Sequence, residues 1–296
     1  MKKYLIFGAS GFIGGNILKL LPRNIELSLI TSHKKQLAQK LKNKKLYPKI
    51  NFRNYKFINL KNKNFFQDQD IIINCMGAYP NGKNKNLMYK LNYSLPKKIV
   101  RLSTSVKPKK FITINTMLKN RKSLYVFYKH KLSDYLKRNK GKTSVIDLYV
   151  SHLYGDPLNK KEFIFNILQQ INNKEKYINL TKGNQKRDFL HIRDFNNLFT
   201  QVLKFKTNKK YNKFEVGNYK SYSIRDVVNL IKKFKKSNIE LRFGKIKYKV
   251  GEDFVMRCNK KTISKINWSP KINLKKGINL LSKKINTKNY NNFYGL

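Results

Sequence analysis

Residues 4–17, YLIFGASGFIGGNI, constrain this chain more than any other stretch. Tyr4, Leu5, Ile6 and Phe7 read as a buried strand running directly into Gly8, Gly11 and Gly14, and an apolar helical pattern (Phe12, Ile13, Ile17, Leu18, Leu21) follows. Glycine at the first position permits a tight turn. The later glycines let backbone N–H groups approach a pyrophosphate at a helix N-terminus and let the helix close on the sheet. The spacing, G-x-x-G-x-x-G, is one residue longer in its first gap than the common dinucleotide fingerprint. Strand before, helix after and a place at the head of the chain predict a nucleotide-binding turn. Its contributing residues are Gly8, Ser10, Gly11, Phe12, Ile13 and Gly14.

A second strand is predicted at residues 25–30, ending at Thr31, Ser32, His33, Lys34 and Lys35. An NAD-type site carries an acidic residue there to hold the adenosine ribose hydroxyls. None is present, and small hydroxyls followed by basic side chains suit a 2′-phosphate. Thr31, Ser32 and Lys34 therefore favour NADP(H), while lysine is so frequent along the chain that NAD(H) stays open. Residues 56–60 read as a third strand and 70–75 as a buried fourth, running into Met76, Gly77 and Ala78, residues suited to a cofactor crossing a strand end. A helix at 84–102, kinked at Pro96, leads to a fifth strand at 110–114 and then to Asn115 and Thr116. Strands alternating with helices at this interval predict an α/β fold, a Rossmann-type doubly wound parallel sheet whose ligands sit at the carboxyl ends of the strands. Thr116 lies at such an end.

Tyr125 and Lys129 open a predicted helix through about residue 137 and share one of its faces. A phenol is a poor acid–base catalyst at neutral pH, and a nearby ammonium lowers its pKa. The motif alone proves nothing, because Tyr79/Lys83 and Tyr93/Lys97 repeat the spacing. Order separates them. The first lies in a Pro-Asn-Gly turn and the second contains Pro96, whereas Tyr125/Lys129 follows a strand with a hydroxyl at its end.

A strand at 143–150 ends the regular alternation. Helices near 162–172, 224–235 (capped by Ser223) and 275–284, a strand at 213–216 and a frayed tail at 286–296 complete the expectation. Residues 1–150 are thus expected to form the dinucleotide-binding domain, and 151–296 a smaller C-terminal α/β substrate lobe interleaved with it.

Sixty-six Lys+Arg against 15 Asp+Glu give a formal charge of +51, which in itself suggests nucleic acid. The excess is spread evenly from Lys2 to Lys288 amid abundant Asn and Ile, and no zinc finger, aromatic RNA motif or basic zipper accompanies it. No specific nucleic-acid partner is expected. The ends carry no apolar run long enough to span a bilayer, so the reading is cytoplasmic, without membrane association. Cys75 and Cys258 form no metal-ligand spacing; reduced thiols and no metal site are expected.

GASGFIG at the start, Tyr125/Lys129, Tyr154-Gly155, the RDF segment at residues 187–189 and the late Trp268-Ser269-Pro270 together resemble the extended short-chain dehydrogenase/reductase superfamily, in its NAD-dependent epimerase/dehydratase branch. The closer detail at residues 111–116, 183–194, 215–228 and 243–252 resembles CDP-abequose and CDP-paratose synthase-type 4-ketoreductases of nucleotide sugars. The resemblance implies that Tyr125 is the general acid, that Lys129 holds the nicotinamide ribose and depresses the Tyr125 pKa, and that Thr116 hydrogen-bonds the substrate oxygen. It implies Asn92 as an arranging residue near the substrate, with a polar residue on an exposed turn as the alternative. Arg187 would contact the nucleotide phosphates or else pair with Asp194. His152 would line the substrate or serve structure, and Lys249 and Glu252 match a substrate-nucleotide loop. A homodimer is common in such proteins.

Departures separate the activities. Met117-Leu118 follow Thr116 where 4,6-dehydratases carry an acidic pair, which disfavours dehydration. The interval from Thr116 to Tyr125 is shorter than in most sugar epimerases, and the acidic ribose ligand is missing. Asn59 and Tyr149 replace a usual aspartate and arginine. The expectation is an NADPH-dependent reductase of a nucleotide-linked 4-keto-deoxyhexose in surface polysaccharide synthesis. An NAD-dependent epimerase, or a non-catalytic dinucleotide- or RNA-binding relative, are the alternatives.

Overall fold

The structure is a computed structural model that describes residues 1–22, 24–42, 55–57, 69–79, 84–106, 108–139, 143–155 and 162–285. Its strands are β1 (Lys2–Phe7), β2 (Ile25–Ile30), β3 (Tyr55–Phe57), β4 (Ile71–Asn74), β5 (Lys110–Thr116), β6 (Ser144–Val150), β7 (His152–Tyr154), β8 (Tyr177–Leu180), β9 (Lys186–His191), β10 (Tyr211–Val216), β11 (Ser221–Ser223) and β12 (Glu240–Phe243). The helices are α1 (Phe12–Leu18), α2 (Lys34–Lys42), α3 (Lys85–Tyr89), α4 (Leu95–Val106), α5 (Leu124–Arg138), α6 (Phe163–Asn172), α7 (Ile192–Lys204), α8 (Ile224–Phe234) and α9 (Leu274–Ile285). Asn59 and the end of the third predicted strand, Lys83, and the tail from residue 286 lie outside the described residues.

The chain divides into two compact units, one of Met1–Tyr149 with Val202–Phe214 and one of Val150–Gln201 with Glu215–Leu296. The first holds a sheet in the order β10-β6-β5-β4-β1-β2-β3. β1 pairs in parallel with β2 and β4, β2 with β3, and β4 with β5. Strands buried on both faces need continuous apolar runs, and β1 and β4 supply them: Leu5, Ile6, Phe7, Ile72 and Ile73 are fully buried. Strand order reverses between β1 and β4, so a crevice opens beyond their carboxyl ends, where Gly8 and Met76 lie.

The helix expected at 84–102 is interrupted, but before Pro96 rather than at it. Lys90–Ser94 form a π turn between α3 and α4, with the Leu95 N–H reaching back to the Lys90 carbonyl. Pro96 has no N–H to offer the carbonyl four residues earlier, that of Asn92, and its ring would crowd that carbonyl in a regular helix. Widening the preceding turn relieves both problems.

In the second unit β9 pairs in parallel with β7 and antiparallel with β11, while β12 pairs in parallel with β8. Its core gathers Tyr154, Phe189, Leu168, Val227, Val228, Ile231 and Ile278. Ser223 caps α8 as expected, its hydroxyl accepting from the Asp226 N–H at 3.0 Å. Asp188 is fully buried and accepts the N–H groups of Asn218 (2.7 Å), Tyr219 (2.9 Å) and Cys258 (3.4 Å). That carboxylate ties two distant loops to β9.

Candidate active site

Gly8 ends β1 with φ +73, a left-handed conformation that side-chain-bearing residues rarely adopt, and a Cβ there would meet the Cys75 carbonyl at 3.0 Å. Gly14 is tighter still: a Cβ would lie 2.2 Å from the Gly8 oxygen, so α1 can close onto the turn only without a side chain. Gly11 differs. It is exposed, only the Gly8 oxygen lies within contact of a Cβ (3.4 Å), and no side chain caps the helix that follows. Ser10 turns back to β2, its hydroxyl 2.7 Å from that of Thr31, which also accepts the His33 N–H at 3.1 Å. Ser32 and Lys34 are exposed beside it, and Lys34 and Lys35 occupy the first turn of α2. Phe12 and Ile13 are half-buried in the first turn of α1.

At the end of β5, Thr116 is buried; its hydroxyl accepts from the Leu118 N–H at 3.2 Å and acts to lower the pKa of the Tyr125 phenol. The strand runs two residues past its expected end because Asn115 and Thr116, though polar, are satisfied internally. The Asn115 carboxamide accepts the Thr116 N–H at 2.8 Å and donates to Ser133, which in turn donates to Asp147 on β6. Asp147 is fully buried and also accepts from the Tyr211 hydroxyl at 2.8 Å. Burial raises its pKa above the usual carboxylate range, and the bonds from Ser133, Tyr211 and Asn115 oppose that rise.

Lys129 is buried one helical turn from Tyr125, yet its amine does not serve the phenol. It donates to the carbonyls of Met76 (2.8 Å) and Ile114 (2.9 Å), bridging the ends of β4 and β5. Burial brings it down to about 8, opposed by the charge of Asp147. The lowering of the Tyr125 pKa expected from Lys129 is accordingly not found. Burial pushes the phenol well above the ordinary tyrosine range, Tyr79 adds to the rise, and the Thr116 hydroxyl acts against it. Tyr79 was not anticipated in this role: its ring stacks on that of Tyr125 with centroids 4.7 Å apart.

Asn92 is not on an exposed turn. It is fully buried in the π turn, where its carboxamide accepts the Ala78 N–H at 3.1 Å and donates to the Ala78 carbonyl at 2.9 Å. The group expected near substrate is thus engaged with the segment that follows β4. Asn74, also fully buried, begins that segment: it donates to Thr113 at 3.0 Å and accepts the Met76 N–H at 3.2 Å.

The second unit carries the remaining candidates. Arg187 is buried and donates to the carbonyls of Lys186 and Asp253 and to the Glu252 carboxylate. Its ion-pair partner is Glu252 rather than Asp194, which instead accepts the Ile272 N–H at 2.8 Å. Lys249 is exposed, and its carbonyl accepts the Glu252 N–H at 3.1 Å. His152 packs edge-on to Phe189, with centroids 5.7 Å apart; burial, then the charge of Arg187, hold its pKa down at about 3, so the ring is neutral. In the first unit, Tyr149 carries the Lys213 amine 4.3 Å from its ring centroid, which puts a cation beside the position where a family arginine was expected.

A phosphate-type turn after β1, Thr116 at the end of β5, and Tyr125 and buried Lys129 on α5 can be compared with known proteins. Residues 4–217 match the model of the NAD dependent epimerase/dehydratase family. The chain belongs to that family. It is 25% identical over 289 residues to a CDP-abequose synthase from Salmonella muenchen, an alignment covering 94% of this chain and 96% of that protein. Among solved structures it resembles a mutant UDP-glucuronic acid 4-epimerase from Bacillus cereus, in complex with UDP-4-deoxy-4-fluoro-glucuronic acid and NAD, with a TM-score of 0.82, 19% identity and coverage of 96% and 98%. A UDP-N-acetylglucosamine 4-epimerase from Methanobrevibacter ruminantium M1 has a TM-score of 0.78 at 16% identity, with coverage of 95% and 99%. These two likenesses establish the fold. Among the described residues, no helix is long and apolar enough to cross a membrane.

As a member of the epimerase/dehydratase family the protein is an NAD(P)-dependent enzyme, and its residues fit that cofactor. Gly11 leaves the turn bare, and a Cβ at exposed Gly77 would lie 3.5 Å from the Lys129 amine, so glycine keeps a side chain out of the space beside it. The Gly8–Gly14 turn would hold the pyrophosphate and Lys129 the nicotinamide ribose.

Proposed function

We propose that this enzyme is a cytoplasmic NADPH-dependent reductase of a nucleotide-linked 4-keto-deoxyhexose, serving the synthesis of surface polysaccharide precursors. The observation that carries the reading is the buried pair of Thr116 and Tyr125 beside Lys129, with no carboxylate directly after Thr116. Dehydration of a sugar needs an acid and a base on adjacent carbons, and Met117 and Leu118 supply neither. Reduction of a ketone needs only one proton and a clamp on the developing alkoxide. Tyr125 remains a protonated acid throughout the neutral range because burial disfavours its phenolate. Thr116, held by the Leu118 N–H, has its hydroxyl beside that acid.

When bound, the cofactor supplies the hydride. The chain's own part is to protonate the oxygen from Tyr125, orient it with Thr116 and exclude water. A preference for NADPH is supported at the end of β2, where Thr31 replaces an acidic residue and Lys34 and Lys35 begin a helix. Lysines at a helix N-terminus oppose the helix dipole, and a 2′-phosphate there would relieve the repulsion. The curated abequose synthase relative, aligned over nearly its full length, supports a nucleotide sugar as substrate.

The test is incubation of the purified protein with NADPH and a panel of CDP-, dTDP-, GDP- and UDP-linked 4-keto-6-deoxy sugars. Stoichiometric NADPH oxidation with one of them is expected. A protein that co-purifies with NAD, interconverts UDP-sugars and leaves NADPH untouched would be an epimerase.

A further inference from the structure

We infer that Asp147, buried on β6, is a positioning residue that fixes which way the Asn115 carboxamide points and, through it, how Thr116 presents its hydroxyl. Thr116 enters here as the clamp on the developing alkoxide, the reading on which this inference rests. Asn115 is buried and touches both residues. Its amide nitrogen lies 3.3 and 3.5 Å from the two Asp147 oxygens. The same nitrogen donates to the Ser133 hydroxyl and, at 3.5 Å, to the backbone carbonyl of Lys129. The amide oxygen accepts the Thr116 N–H at 2.8 Å.

A carboxamide has a donor end and an acceptor end, whereas an ionised carboxylate only accepts. Turned round, the Asn115 oxygen would face the Asp147 carboxylate, and its NH2 would face the Thr116 N–H. Acceptor would meet acceptor and donor would meet donor. Only one direction therefore satisfies both neighbours. Ser133 from α5 and Tyr211 from β10 also donate to Asp147, so these three contacts all suit the charged form. The ionisable groups facing the carboxylate agree with this. Lys129 favours its charge, and burial keeps the Tyr149 and Tyr211 phenols protonated.

Asp147→Asn keeps the shape but can offer Asn115 either an oxygen or an NH2, so the direction is no longer fixed. Tyr211→Phe removes a bond to the same carboxylate without touching Asn115, and serves as the control. On the free protein, hydrogen exchange of the Thr116 N–H is followed by NMR relative to that of Ile112 on the same strand. The ratio should rise about ten-fold in Asp147→Asn and stay unchanged in Tyr211→Phe. With NADPH and the 4-keto sugar accepted in the panel above, at about pH 6 and so well below the Lys129 limb, Asp147→Asn should lower kcat about ten-fold with KM nearly unchanged. Adding Asp147→Asn to Thr116→Val should cost nothing further, because both act through one hydroxyl. Should Asp147→Asn fail to fold, the smaller Asp147→Ser takes its place in each measurement. An unchanged exchange ratio, an equal loss in Tyr211→Phe, or a double variant slower than Thr116→Val alone overturns the inference. Wild-type kcat in Thr116→Val would instead overturn the reading of Thr116, and the exchange ratio would still decide whether Asp147 holds it.

Discussion

Asn92 holds both backbone groups of Ala78, accepting its N–H at 3.1 Å and donating to its carbonyl at 2.9 Å. One carboxamide therefore fixes the segment in which the Met76 carbonyl receives Lys129 and the Tyr79 ring reaches Tyr125. Asn92→Ala should leave these groups without partners and destabilise the protein by about 1–3 kcal/mol in denaturant unfolding. Asn92→Asp keeps an acceptor for the Ala78 N–H but sets a carboxylate against the Ala78 carbonyl. It should lose activity more than it loses affinity for NADPH.

The two later glycines of the first turn should respond differently. Gly14→Ala forces a methyl to within 2.2 Å of the Gly8 oxygen, so the turn must open, at about 1–3 kcal/mol and with loss of cofactor binding. Gly11→Ala meets only the Gly8 oxygen at 3.4 Å and should fold normally. Its methyl should still weaken NADPH binding by intruding where the pyrophosphate approaches. Thermal unfolding and cofactor fluorescence titration, run in parallel, distinguish the two.

The alkaline limb of the pH profile should belong to Lys129 and not to Tyr125. Burial raises the phenol and lowers the amine to about 8, so on raising the pH the ammonium is lost first while the acid keeps its proton. NADPH affinity and kcat/KM should therefore be steady below pH about 8 and fall above it. Asp147 favours the ammonium form, so Asp147→Asn should move that limb to lower pH. A limb that does not move would remove Asp147 from the electrostatics of the site.

Much of this arrangement was readable in the chain, and the unreadable parts share a cause. Buried apolar runs such as residues 25–30 mark their own strands, and the glycine spacing marks the turn. Charged and polar residues mislead because sequence reading takes them as exposed. β9 was missed although it is buried from Arg187 to His191, since Arg187 is satisfied by Glu252 and Asp188 by three backbone N–H groups. α7 could have been found: Phe195, Leu198, Phe199 and Val202 fall on one helical face. The shared face of Tyr125 and Lys129 was legible, but which carbonyls capture the amine depends on loops far away in the chain. The stacking of Tyr79 on Tyr125 arises from the same long-range geometry.

Arg187 and Glu252 make the clearest case for separating structure from binding in the second unit. Glu252→Ala leaves a buried guanidinium with its bonds to the Lys186 and Asp253 carbonyls and the charge of Asp253, and should cost about 3–5 kcal/mol of stability. If Arg187 also contacts the nucleotide phosphates, CDP or UDP at saturating concentration should restore part of the lost thermal stability in Glu252→Ala but none in Arg187→Met.

The most direct measurement is NADPH oxidation by wild type and Tyr125→Phe in the presence of a 4-keto nucleotide sugar, with NADPH binding measured on both. The account predicts that the wild type turns over and that Tyr125→Phe binds NADPH with wild-type affinity while kcat falls by roughly 10²–10⁴. A variant that binds NADPH and reduces the sugar as fast as the wild type would contradict it.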